Sequence, residues 1–303
     1  MEYHIGNDAL AVTVADEGAE LRSLRSADGT EYLWQGDATY WKKRAPHLFP
    51  VCGRLTEGHC KMDGEDCHMD THGFFRWRTL RCEQQSADKL LFVLDTEPET
   101  RAQYPRDWHA QVGYHLCEDT LQVTFRVENR GAKRMWFAYG GHPGFQVPLA
   151  GGLRFEDYQL RFASGTSPRK VEMSDTCFVK GGDTPLLPQG QAVLPLKHEL
   201  FDRDAVFLCN TGGQVTLESV CDAHFVTVTF PDLPYLGLWH APQTKAPYLC
   251  LEPWSALPDR EGRVEELSRK PGMICLPPKK SWQTTWSIRC GKSKVLTNRL
   301  YAV

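Results

Sequence analysis

The feature that most constrains this chain is an apolar period of two that recurs along nearly its whole length. Leu121, Val123, Phe125 and Val127 alternate with Gln122, Thr124, Arg126 and Glu128. Side chains of a strand point alternately to opposite faces, so this stretch reads as a half-buried strand. Residues 109–117 precede it across Glu118-Asp119, a hairpin-like connection. Further strand candidates lie at 9–14, 20–25, 31–34, 90–95, 135–139, 153–162, 205–209, 214–219, 225–230, 236–239, 248–251 and 282–288. Turn signals separate them, among them Asp28-Gly29, Asp63-Gly64, Gly151-Gly152 and Gly212-Gly213. Residues 263–269 read as helical, with Glu265 and Glu266 ahead of Arg269 and Lys270, and a second short helix is predicted near 98–103. Strands do not alternate with long helices, which argues against a parallel α/β sheet. The expectation is an all-β chain of stacked antiparallel sheets, a sandwich larger than the immunoglobulin type. Residues 1–290 read as one domain, followed by a tail, 291–303, that either extends the fold or hangs loose.

Charge and composition narrow the function. Lys+Arg 35 against Asp+Glu 38 leaves a net charge of -3, without the basic excess that a phosphate backbone demands. No apolar run reaches the roughly 18 residues of a membrane span. The start, Met1-Glu2-Tyr3-His4, lacks a charged-then-apolar leader, so a cytoplasmic protein is expected. The 11 cysteines are odd in number and form no C-x-x-C pair, which suits reduced thiols rather than a disulfide framework. Cys52, His59, Cys60, Cys67, His68 and His72 gather metal-competent types in one window. Their spacing is not that of a zinc finger, so the window reads as a Cys/His-rich hairpin and no metal is expected. G-x-G-x-x-G and G-x-S-x-G are both missing from the sequence, so nucleotide cofactors and serine-hydrolase chemistry lack support. No cofactor is expected.

Four places break the alternation with residues that strands do not require. In 48–55, Gly53 precedes Arg54 in an apolar setting, placing a fork of donors near backbone; the plain alternative is a surface ion pair. In 71–76, His72 is followed by a glycine and two rings, giving an imidazole with little cover or else a structural histidine. In 140–145, glycines and Pro143 surround His142, and a bland turn would not need an imidazole there. In 248–254, Glu252 ends an apolar strand and meets Pro253 and Trp254. A buried carboxylate must be paired or have a raised pKa, and either suits an acid or base. One carboxylate, two imidazoles and one guanidinium are the parts needed for proton transfer on a neutral polyol.

These residues carry a family resemblance. The segments 48–55 (LFPVCGRL), 72–76 (HGFFR), Tyr104-Pro105, 141–145 (GHPGF), 236–239 (LGLW) and 251–254 (LEPW) with Pro258-Asp259 occur in order over about residues 5 to 290. In this the chain resembles the aldose 1-epimerase (galactose mutarotase) family, in its divergent LacX-like branch. The resemblance implies a β-supersandwich and interconversion of the α and β anomers of an aldose, a small-molecule partner. It implies Glu252 as general base toward the C1 hydroxyl and His142 as general acid toward the ring oxygen. It also implies His72 and Arg54 as holders of sugar hydroxyls, with Asp204 matched to a hydroxyl-gripping aspartate. Pro143 after His142 departs from the better-known galactose mutarotases and bears on which sugar is used. A related branch takes hexose 6-phosphates, for which Lys42, Lys43, Arg44 and Arg76 are the candidate contacts.

Trp 9, Tyr 10 and Phe 14 residues then divide between core and cleft. Trp34, Trp136, Trp282 and Trp286 need only packing, while Phe74, Phe145, Trp239 and Trp254 border the polar breaks and are candidate cleft walls. Two other functions remain: a non-catalytic sugar binder on the same fold, and a glycosidase using Glu252 with Asp204 or Asp259. A monomer or homodimer is expected.

Overall fold

The computed structural model describes residues 1–293. Alternation becomes burial: in the strand Thr120–Asn129, Leu121, Val123, Phe125 and Val127 are fully shielded while the residues between them are half-exposed. Each such side chain contributes roughly 1.5–3 kcal/mol by leaving water.

Two large sheets stack face to face. One has nine strands in the order Val193–Pro195, Tyr158–Phe162, Gln214–Ser219, His224–Thr229, Ser281–Lys292, Thr120–Asn129, Trp108–Cys117, Lys89–Asp95 and Arg81–Gln85. The other has eight, running Val179–Pro185, Arg169–Met173, Val206–Cys209, Tyr235–Trp239, Tyr248–Trp254, Gly140–Gly141 and His47–Leu48, with Gly144–Gln146 also on Tyr248–Trp254. Neighbouring strands pair antiparallel throughout both. A three-stranded sheet, Glu2–Gly6, Leu10–Ala15 and Leu21–Ser26, packs at one side. Phe49, between the large sheets, contacts Phe74, Phe75, Tyr104, Trp108, Phe125 and Phe137, so much of the aromatic content is core.

The short helix forms at Pro98–Gln103, where proline sits in the first turn and Thr100 Oγ1 accepts from the Glu97 N–H. The helix expected at 263–269 does not form. Instead Lys61 N–H donates to the Glu265 carbonyl and Leu267 N–H to the Lys61 carbonyl, so the segment runs extended beside a hairpin to Glu266 and then turns, with Arg269 N–H on the Glu266 carbonyl. Seven residues ahead of Pro271 offer too few hydrogen bonds to offset nucleation, and pairing with Lys61 satisfies the backbone instead. Residues 31–34 form isolated bridges rather than a strand, and 153–162 becomes a strand only from Tyr158. The Cys/His window supplies the hairpin His59–Met62 and Glu65–His68. All 11 cysteines are free thiols. The last strand runs to Lys292, two residues into the expected tail; residues 294–303 lie outside the described residues. No helix among the described residues is long and apolar enough to cross a membrane.

Candidate active site

The eight-stranded sheet positions the site. Glu252 lies inside the strand Tyr248–Trp254 rather than at its end, and is 2% exposed. Its cross-strand partner is Gly237, where an added Cβ would stand 3.2 Å from the Glu252 Cβ. Glycine there leaves room for the carboxylate to sit on the sheet surface.

His142 faces it from the connection between Gly140–Gly141 and Gly144–Gln146, with Nε2 3.2 Å from Glu252 Oε2. The glycines around it serve space rather than unusual backbone angles. A Cβ on Gly141 would come within 2.6 Å of the Trp286 ring, and one on Gly140 within 2.6 Å of the Trp254 ring. Burial pushes the Glu252 carboxyl well above its ordinary value, with Asp204 adding to the rise, and lowers His142 to about 3. Both shifts favour the uncharged forms, so the pair holds one proton between two heteroatoms.

His72 is fixed by backbone. Gly53 N–H donates to its Nδ1 at 3.0 Å, and His72 N–H donates to the Gly53 carbonyl at 2.9 Å. A ring nitrogen that accepts carries no proton, so neutral His72 is the Nε2–H tautomer and serves as a donor. Desolvation and the neighbouring His142 ring hold its pKa well below the ordinary value. Gly53 has φ +74° and packs so closely on Pro258 that a Cβ would lie 2.5 Å from its Cγ. Arg54 donates from Nη1 to the Thr176 carbonyl at 2.6 Å and from Nη2 to Asp204 Oδ2 at 2.8 Å. Asp204 Oδ1 accepts from the Trp239 indole at 2.9 Å. Asp204 thus lands beside Arg54, with Trp239 tying both to the sheet.

These residues line one cleft of about 300 Å³, which also includes Trp41, Thr71, Arg76, Phe207 and Trp254. Trp254 is 2% exposed and forms the floor against His72 and Phe207. Phe145 is not in the cleft. It pairs with Leu249 and is completely buried in the main core, because it points to the opposite face of its strand from Gly144 and Gln146. Phe74 is likewise core, stacked on Trp108. Trp41, which motif reading missed, lies tilted by 32° over His142 with ring centroids 4.9 Å apart; only the general richness in aromatic residues hinted at it. Of the four basic candidates Arg76 alone lines the cleft, donating from Nη2 to the Thr71 carbonyl while its buried Nε has no partner. Lys43 pairs with Glu17 and Glu20, Arg44 donates to the Arg22 carbonyl, and Lys42 is exposed. Asp259 lies behind the cleft, fully buried against Lys270, with Oδ2 accepting from Thr56 N–H at 2.9 Å.

A buried imidazole and carboxyl thus stand together in a cleft ringed by fixed donors and flat aromatic faces. The family described as "Aldose 1-epimerase" matches residues 1–289. The chain belongs to the aldose 1-epimerase family. It is 32% identical to the chromosomal LacX protein of Lactococcus lactis subsp. lactis, over 94% of this chain and 99% of that one. A solved galactose mutarotase related enzyme from Lactobacillus acidophilus superposes with a TM-score of 0.91 at 30% identity, covering 97% of this chain and 99% of the other. A galactose mutarotase-like protein from Lactobacillus casei also gives 0.91 at 30% identity, with 96% and 100% covered. The fold is therefore galactose mutarotase-like, as the strand pattern and the resemblance led one to expect.

Proposed function

We propose that this aldose 1-epimerase family member interconverts the α and β anomers of an aldose in this cleft. The observation that carries the reading is the buried His142–Glu252 pair, 3.2 Å apart in a cleft with donors on its walls. Moving the shared proton from Glu252 to His142 yields a carboxylate base beside an imidazolium acid without changing the proton count. The carboxylate takes the proton of the C1 hydroxyl while the imidazolium protonates the ring oxygen. The C1–ring oxygen bond breaks, leaving an aldehyde and a free hydroxyl. Rotation about C1–C2 presents the other carbonyl face. Closure then returns one proton to His142 and the other from Glu252 to the new C1 hydroxyl. His72 Nε2–H and Arg54 donate to sugar oxygens and hold the reacting atoms in place.

Polarimetry on freshly dissolved α-D-glucose and α-D-galactose, extended to other aldoses and their 6-phosphates, tests the reading. The expected result is faster decay of optical rotation than in buffer, with a bell-shaped pH dependence. Among the described residues Arg76 lines the cleft with no carboxylate in ion-pair contact and would be the group to hold an anionic substituent, so the phosphorylated members belong in the panel. No acceleration on any sugar by a folded protein would refute catalysis. Sugar-dependent tryptophan fluorescence without acceleration would leave the non-catalytic binder. Hydrolysis has little support, because Asp259 is spent on Lys270 and Asp204 on Arg54 and Trp239.

A further inference from the structure

Cys250 is a buried nucleophile to which proton transfer gives no task. It precedes Glu252 by two residues on one strand, so the two side chains share a face. Its thiol is fully shielded and packs in the small cluster with Trp34, Tyr248 and Trp41. One donor atom each from His142, Cys250 and Glu252 lie within 4.8 Å of one another, and all three residues are buried. Among the described residues no other trio of histidine, cysteine and carboxylate donors meets that distance. His142 Nδ1 is buried and has no hydrogen-bond partner. Imidazole, thiolate and carboxylate form a donor set that suits zinc, whereas magnesium and calcium select oxygen. Bonds of roughly 2.0–2.3 Å about a tetrahedral ion require modest contraction of the trio, and leave a fourth position toward the cleft that His142 and Glu252 line.

We propose that His142, Cys250 and Glu252 form a binding site for a thiophilic divalent cation of the zinc class, which inhibits the enzyme by occupying its acid/base pair. Binding is ligand exchange without redox change. The Cys250 S–H bond breaks, its proton passes to solvent, and the sulfur lone pair forms the metal bond. Lone pairs of His142 and Glu252 that would serve the sugar bind the cation instead. The cation is an inhibitor, not a resident cofactor. Its effect on rate rests on the acid/base reading above; its binding does not.

The cross-strand pair of half-buried His59 and exposed His68, with ring centroids 3.8 Å apart, offers a second place for a cation, so His68→Gln is the parent for the test. Zinc ion alone is titrated by calorimetry, and cobalt(II) ion by absorbance. The expected results are one zinc per chain, a thiolate-to-cobalt charge-transfer band, and zinc inhibition reversed by EDTA. Cys250→Ala should keep anomerase activity, escape inhibition and bind zinc about 100-fold more weakly, a loss of the size seen even for supporting partners of a metal site. No zinc uptake by the parent, unchanged affinity in Cys250→Ala, or cobalt binding without a thiolate band overturns the proposal. Should Cys250→Ala fail to fold, the cobalt band on the parent decides. A parent that binds zinc through sulfur yet anomerises no sugar refutes the acid/base reading and leaves the cation site standing.

Discussion

Glu252 and Asp259 are two buried carboxylates seven residues apart, and they have opposite fates. Asp259 meets a lysine ammonium and a backbone N–H, and its own N–H and carbonyl bond to the Arg54 carbonyl and the Val179 N–H. Each of its three oxygens has a partner, and it fastens the segment carrying Gly53 and Arg54 to the sheet. Glu252 meets only an imidazole, at 3.2 Å, and opens on a cleft. A full positive charge beside a buried carboxylate makes an anchor, whereas a neutral, titratable partner leaves a proton that can move. Burial raises both carboxyls, so it is the partner, not burial, that separates the proposed base from the anchor.

Breaking the reactive half should give the largest effect. Glu252→Gln removes the proposed base while keeping shape, and rate should fall by about 10²–10⁴-fold, the usual worth of general acid/base catalysis. Its thermal midpoint should stay level or rise, because a desolvated carboxyl is replaced by an amide. Full activity in this variant would move the chemistry elsewhere.

Breaking the anchor should act first on stability. Lys270→Met or Asp259→Asn leaves one buried group uncompensated and should cost about 3–5 kcal/mol in denaturant unfolding. The double change Lys270→Met with Asp259→Leu should recover much of that stability. If Asp259 also sets the position of Arg54, the recovered protein keeps a raised KM. Recovery of both stability and KM would reduce the pair to packing.

A buried imidazole without any carboxylate partner sharpens the comparison from a third side. His240 donates from Nδ1 to the Ala241 carbonyl and takes a hydrogen bond from His198, and burial lowers it to about 4. The folded state then binds fewer protons than the unfolded chain between the ordinary histidine value near 6.5 and about 4. Its contribution is complete above that window, is lost as pH falls through it, and is flat below. The loss should be on the order of 3 kcal/mol. Unfolding curves of His240→Asn against the parent, measured from pH 7.5 to 4, should converge; parallel curves would contradict it. The smallest effect is expected for Arg54→Lys, which keeps charge but loses the fork spanning Thr176 and Asp204. KM should rise about tenfold, a cost of ~1.4 kcal/mol, with kcat less affected.

The strands were legible because apolar alternation is a local signal and the core enforces it residue by residue. The failed helix at 263–269 shows the limit: charge spacing suited a helix, but the partner that won, Lys61, lies two hundred positions away. Phe145 misled for a related reason. Its motif neighbour His142 faces the cleft, but Phe145 lies on the strand Gly144–Gln146, whose alternation turns the ring into the core. Trp41 had no motif at all, since it reaches His142 from a loop.

By itself the sequence determined the all-β layering and which residues interrupt it, because side-chain alternation and residue type are written locally. Only the tertiary structure decided which carboxylate faces an imidazole and which a lysine, which nitrogen of His72 carries its hydrogen, and that Cys250 stands beside the pair. Those properties belong to contacts through space, and burial sets the charge of each group only after its partner is known.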